Sequence, residues 1–247
     1  MKKLSLKAIF IGLFTISLFA SATATANAAT LTVTKSTNSN DGVCNADCSL
    51  REAVDVALSG DTIVFNSNLV GQTFTLGGSE IVIDKTLTIN GDIDGVNVVF
   101  LSAEGASRHF NVTSGTFALT NMILVQGSGS EGGSIFAANG GNTRLDRVAI
   151  RGNNAIFVGA MSVGTGLHRI TNSSFSGNSA PDGCSAVRGR AGGNLFMANV
   201  TLAGNDAASN FGAICIFGAA KIRNSTIVNN SAAQGAGITL FGTATLE

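Results

Sequence analysis

The chain has no tryptophan and no tyrosine, a single proline (Pro181) and two histidines in 247 residues. Only 12% of the residues are charged, with Lys/Arg and Asp/Glu balanced at 15 each. Each shortage closes off a class of function. Without Trp or Tyr, the amphipathic rings of a sugar-stacking platform are missing. Without a basic excess there is no electrostatic case for nucleic acid. His109 and His168 are far apart, and no cysteine pair has a histidine beside it, so no metal site and no cofactor is expected. There is no Asp-Asp pair, and Asp146, Asp182 and Asp206 fall in different columns of the repeat described below. Carbohydrate-cleaving chemistry needs paired carboxylates, so no catalytic residue is assigned. Low charge beside abundant Ile, Val, Leu and Phe also argues against disorder.

The first residues carry an export signature. Lys2, Lys3 and Lys7 precede an apolar run over 8–20, and Ala26-Asn27-Ala28 reads as a small-x-small cleavage site. This is the order of a secretory signal peptide, here 1–28, and the run is too short for a spanning helix. Removing it leaves 12 Lys/Arg against 15 Asp/Glu, a formal charge of −3. No second apolar span follows, so no transmembrane helix is expected. In an exported chain cysteines pair. Cys44–Cys48 is the first expected disulfide, and Cys184 with Cys215 is the second candidate pair.

Glycine is plentiful, at 31 residues, and punctuates a repeat. The segments LTNMILVQG (119–127), LDRVAIRGN (145–153), ITNSSFSGN (170–178), MANVTLAGN (197–205) and IRNSTIVNN (222–230) begin 26, 25, 27 and 25 residues apart. The column Leu124, Ile150, Phe175, Leu202 and Ile227 is apolar throughout. Its spacing from the apolar residues around it has the period of a strand. Two polar columns flank that strand. One is Asn121, Arg147, Asn172, Asn199 and Asn224; the other is Gly127, Asn153, Asn178, Asn205 and Asn230. Both suit left-handed turns, and stacked asparagines can bond into a ladder. A glycine-led second strand follows each time, at 132–136, 159–163, 183–187, 212–216 and 235–240. Coils of this kind bury their apolar faces only by stacking, which defines a solenoid of about eight coils at roughly 25 residues each.

Upstream, short β-branched runs at 61–65, 73–76, 80–84, 86–91, 97–100, 109–112 and 116–120 read as less regular coils. Residues 49–58 differ. Leu50, Ala53, Val54, Ala57 and Leu58 make a helical stripe, Ser49 and Glu52 form a capping box, and Gly60 supplies the stop. This helix, with the strand at 31–34 and the Cys44–Cys48 loop, is expected to cover the open end of the solenoid. The division is therefore 1–28 signal peptide, 29–60 N-terminal cap and 61–247 parallel β-helix.

The run Cys48-Ser-Leu-Arg-Glu-Ala53, ahead of Gly60-Asp61-Thr-Ile-Val-Phe65, resembles the N-terminal region of bacterial CSLREA-domain proteins. Gly132–Ile135, Gly212–Ile214 and Phe175–Asn178, with weaker copies at Leu202–Asn205 and Ile227–Asn230, resemble the polymorphic outer-membrane protein repeat. The resemblance implies a right-handed parallel β-helix of the pectin-lyase-like type on a secreted or surface-displayed protein. Glu247 falls inside the fifth regular coil, and the β-helix is expected to be truncated there.

Few residues stand out from this scaffold. Asn90–Gly95 imitates half a calcium loop, but Leu101 stands where the closing acid belongs, so it reads as a polar turn. His109 and His168 show no partner in the sequence and read as surface or packing residues. The 12 Phe beyond residue 28 are assigned to the core. Arg144, Arg169 and Lys221 share an outward column, with Arg147 and Arg151 adding to that face, and form a candidate stripe for a cell-surface or extracellular glycan. The expected function is a non-enzymatic, adhesin-like or structural binding module, exported to the extracellular side or cell surface, outer membrane included. The alternative is a polysaccharide lyase or hydrolase of the pectin-lyase-like superfamily.

Overall fold

The computed structural model describes residues 28–208 and 211–247. The signal segment read at 1–28 lies outside them except for Ala28. The described chain is a parallel β-solenoid of about seven turns with one short helix. It has fewer turns than the length suggested, because residues 34–60 go into a loop and the helix instead of a coil.

Every regular coil has the same sequence of parts. Asn142–Arg151 shows it well. Its first half, through Asp146, pairs in parallel with Thr116–Val125 on one side and with the end of Met161–Thr171 on the other. Arg147 then takes a left-handed backbone, φ 53°. The strand turns a corner, and Val148–Arg151 belongs to a second face. After Gly152, φ 63°, the short strand Asn154–Val158 runs alongside, and the chain enters the third face at Met161. All five residues of the first polar column are left-handed, with φ between 47° and 56°. At the second corner the left-handed residue is one place earlier than expected: Gln126, Gly152, Gly177, Gly204 and Asn229 take it. The column Asn153, Asn178 and Asn205 is freed from turn-making and points inward, buried.

There it forms a continuous ladder. Asn153 Nδ2 donates to Asn178 Oδ1 at 2.9 Å, Asn178 to Asn205 at 2.9 Å, and Asn205 to Asn230 at 2.9 Å. Each Nδ2 also donates to a strand carbonyl, of Leu124, Ile150 and Phe175 in turn. Each Oδ1 further accepts the backbone N–H of the coil before, as in Gly127 N to Asn153 and Asn153 N to Asn178. The corner's backbone groups, unavailable to water, are satisfied in this way.

The apolar columns stack as the spacing predicted. Leu124 pairs with Ile150, Ile150 with Phe175, Phe175 with Leu202, and Leu202 with Ile227. The first four are fully buried. At about 1.5–3 kcal/mol per buried large side chain, such columns supply the main stabilisation. Gly159 marks a close approach, since a Cβ there would run into the carbonyl of Ser185 on the next coil.

The helix spans Leu50–Val56 and has the expected capping box: Ser49 Oγ accepts from Glu52 N, and Glu52 Oε2 accepts from Ser49 N at 2.7 Å. It stops before Gly60 because Ala57 turns extended, and Lys85 Nζ donates to the Val54 and Ala57 carbonyls at 3.3 and 3.1 Å. Leu50, Ala53, Val54 and Ala57 join the buried core with Val33, Ile63 and Leu87. Arg51 fastens the helix to the first coils through the Ser79 and Glu80 carbonyls. Cys48 is bridged to Cys44, and Cys184 to Cys215.

Candidate functional site

Arg144, Arg169 and Lys221 do share one row on the outer side of the first face. Arg144 pairs with Arg169, Arg169 with Phe196, and Phe196 with Lys221. With strands about 4.8 Å apart, Arg144 and Lys221 lie roughly 14 Å from each other along the axis. Phe196 interrupts the cations and organises them: the Arg169 guanidinium lies 4.4 Å from its ring centroid and that of Arg223 5.0 Å. Lys221 Nζ is paired with Glu247 at 2.7 Å. Arg144 and Arg169 have no ion pair among the described residues.

Arg147 and Arg151 do not extend this row. Arg147 occupies the left-handed corner, donating Nε to Asn121 Oδ1 at 2.7 Å and pairing with Asp146. Arg151 lies past that corner on the second face, 5.7 Å from the Phe100 ring. A turn between two stretches of alternation moves the second stretch onto another surface, and the spacing alone does not reveal it. Asp146, in the column beside the row, is also charged. Burial works to raise its pKa, but bonds from Thr171 Oγ1 and Asn172 Nδ2, each 2.7 Å, together with Arg147 and Arg169, hold it below the usual carboxylate range.

Two depressions open on this face. One, of about 300 Å³, lies among Leu167, Arg169, Phe196, Ala220 and Lys221. The other, of about 480 Å³, lies among Ala118, Arg144, Asp146, Leu167 and Arg169. Leu167, which borders both, is 68% exposed. The surface therefore alternates guanidinium groups with apolar patches.

Of the two readings offered for the histidines, packing holds and surface does not: both are interior, and both have partners that the sequence did not show. Nε2 of His109 lies 3.2 and 3.0 Å from the Leu101 and Val125 carbonyls, so it carries the proton, while Nδ1 accepts from Ser134 Oγ at 3.0 Å. Desolvation lowers its pKa to about 4, against the opposing pull of the two carbonyls. His168 repeats the arrangement with the Gly164 carbonyl and Thr143 Oγ1. The partner hydroxyls come from neighbouring coils. Asn90–Gly95 is a turn closed by its own side chains, with Asp92 Oδ1 accepting from Gly95 N and Asp94 Oδ1 from Asn97 N. Among the described residues no group of three or more His, Cys, Asp or Glu is placed to hold a metal, and no helix is long and apolar enough to cross a membrane.

The assignment of phenylalanine to the core holds for Phe65, Phe74, Phe110, Phe117 and Phe175. Phe100, Phe136, Phe157, Phe196, Phe211, Phe217 and Phe241 are partly or largely exposed. Most of them sit with arginines: Arg108 and Arg190 over Phe136 at 4.8 and 5.4 Å, and Arg188 over Phe217 at 4.8 Å. This arginine–phenylalanine surface went unread in the sequence. Its available signal was the outward alternation of Arg188 on the strand Val187–Gly189, two coils on from Phe136.

Comparison with protein-family models and with curated proteins returns no match for this chain. The fold and the repeat place the protein in the class of disulfide-bonded parallel β-solenoids.

Proposed function

We propose that the protein is an exported β-helix, secreted or displayed at the cell surface, that binds anionic extracellular glycan along the Arg144–Arg169–Phe196–Lys221 row without cleaving it. The observation that carries this reading is the row itself. Two arginines without ion pairs stand on successive coils, the second stacked on Phe196, beside shallow depressions bordered by Leu167. Guanidinium groups grip carboxylate and sulfate through paired hydrogen bonds. A row repeating at the strand spacing favours an extended polymer held by many weak contacts. Export is supported by the basic and apolar start of the chain, by the resemblance at Cys48–Ala53 to CSLREA-domain proteins, and by two disulfides, which persist in oxidising compartments. The resemblance of the repeats to polymorphic outer-membrane proteins favours right-handed coils and an adhesin-like role at the outer surface.

The test is binding of the purified chain to heparin, polygalacturonate and a neutral polysaccharide at low and high salt. We expect polyanion binding that weakens with salt and falls about tenfold in Arg144→Gln/Arg169→Gln, equivalent to about 1.4 kcal/mol. Salt-independent binding, or the same affinity in the double variant, would refute the row as the site. Release of unsaturated or reducing ends would replace the binding role with an enzymatic one.

A further inference from the structure

A second recessed surface lies outside the third strand of the coils, on residues the row does not use. The outward side chains there are Phe136, Ser162, Arg188 and Cys215, in register on successive coils. The segment preceding each of these strands folds beside them. The Cys184–Cys215 disulfide, with 6.0 Å between Cα atoms, ties that flanking segment of one coil to the strand of the next. Between flank and strand is a cleft of about 310 Å³, lined by Glu131, Phe157, Asp182, Arg188, Phe211 and Phe217. Its size is that of a small-ligand site.

The walls are aromatic. Phe157 is 43% exposed. Phe217 stacks on Phe241 with centroids 4.5 Å apart, and Phe211 meets Phe241 at 5.7 Å. Gly183 lies against the Phe157 backbone, where a Cβ would run into the carbonyl oxygen, so the two flanking segments approach closely there. The polar groups are of both signs. Glu131 is paired with Arg190, lies 3.7 Å from Arg188 and accepts from Ser162 Oγ at 3.2 Å. Arg188 Nε and Arg190 Nε are buried without a hydrogen-bond partner. Asp182 has no hydrogen-bonded or ionic side-chain partner among the described residues. The lining carries two acids, Glu131 and Asp182, and one guanidinium, Arg188; Arg190, paired with Glu131 from outside the lining, brings the local charge to zero.

We infer that this cleft binds a short stretch of a neutral glycan. The C–H face of a pyranose ring packs on the exposed Phe157 ring, a phenylalanine in the place that the absent Trp and Tyr would take, while Phe217, already stacked on Phe241 and covered by the Arg188 guanidinium, closes the wall. The sugar hydroxyls donate to the Asp182 and Glu131 carboxylates and accept from the Arg188 guanidinium. A cation would meet Arg188 and an anion would meet Asp182, whereas a polyhydroxylated neutral ring uses donors and acceptors together. The site is independent of the Arg144–Lys221 row and takes the opposite class of ligand.

The experiment is titration of the full chain with cello-, xylo-, malto- and N-acetylglucosamine oligosaccharides, followed by calorimetry and saturation-transfer NMR at two salt concentrations. At least one series is expected to bind with Kd of about 1 mM or tighter, the same at both salts. Asp182→Ala and Phe157→Ala alter exposed side chains, so their melting curves should match the parent, while each weakens binding about tenfold. Arg144→Gln/Arg169→Gln should leave it unchanged, which separates this site from the row. The inference is overturned if no series binds, if binding persists in both cleft variants, or if affinity falls with salt.

Discussion

Two rows of asparagine run along this solenoid, and the same side chain does different physical work in each. Asn121, Asn172, Asn199 and Asn224 stand at the first corner in the left-handed region. Asn172 and Asn199 are exposed there, and the bond between them, Asn199 Nδ2 to Asn172 Oδ1 at 3.1 Å, is made in the presence of water. What that position requires is a residue tolerant of φ near +50°, which asparagine is. Asn153, Asn178 and Asn205 lie inside the second corner, where no left-handed angle is needed. What that position requires is a donor and an acceptor aimed at backbone groups that water does not reach. The outer row meets a conformational demand and the inner row a desolvation demand, and these differ severalfold in magnitude.

The inner row should therefore yield the largest loss. Asn178→Leu removes the partner of the Ile150 carbonyl, of Asn153 N–H and of one Asn153 Nδ2 proton. Buried groups left unpaired cost about 1–3 kcal/mol each, so urea denaturation should show a loss of about 4 kcal/mol. A loss no larger than that of the same kind of change in the outer row would erase the distinction. The interior histidine makes the same point through pH. His109 is neutral in the fold, with its pKa lowered by burial from 6.5 to about 4. Between those values the unfolded chain binds the proton and the folded one does not, so stability is full above pH 6.5 and declines as pH falls towards 4. The limit is about 3 kcal/mol. His109→Gln should flatten the dependence in that window, and an unchanged slope would show that His109 is not its source.

The sequence was most legible where one rule governs a long stretch. Alternation along Leu145–Arg151 and its equivalents identified which side chains point inward, and Ser49 with Glu52 marked the start of the helix. It was least legible at corners. A left-handed residue redirects the strand, so Arg151 left the face that Arg144 occupies, and the turn at the second corner fell on Gly152 where Asn153 was expected. Partnerships between coils were also hidden. Ser134 and Thr143 reach His109 and His168 across about 25 residues of chain, a distance at which no local pattern operates. The exposed phenylalanines escaped notice because an apolar letter in a β-rich chain was assigned inward by type, while Phe136 and Phe217 face outward under arginine.

The smallest effect belongs to the outer row, and it separates conformation from hydrogen bonding. At Asn172 a glycine keeps the left-handed angle at no steric cost, although it loses the side-chain bonds to Asp146 and Asn199. An alanine loses the same bonds and must also accept a disfavoured backbone, at about 1 kcal/mol. Asn172→Gly should therefore lie within about 0.5 kcal/mol of the parent, and Asn172→Ala about 1 kcal/mol below it, in one set of denaturation curves. If the two variants are equally destabilised, the exposed bonds and not the φ angle hold that corner. The outer row would then be a ladder of the same kind as the inner one, weakened only by water.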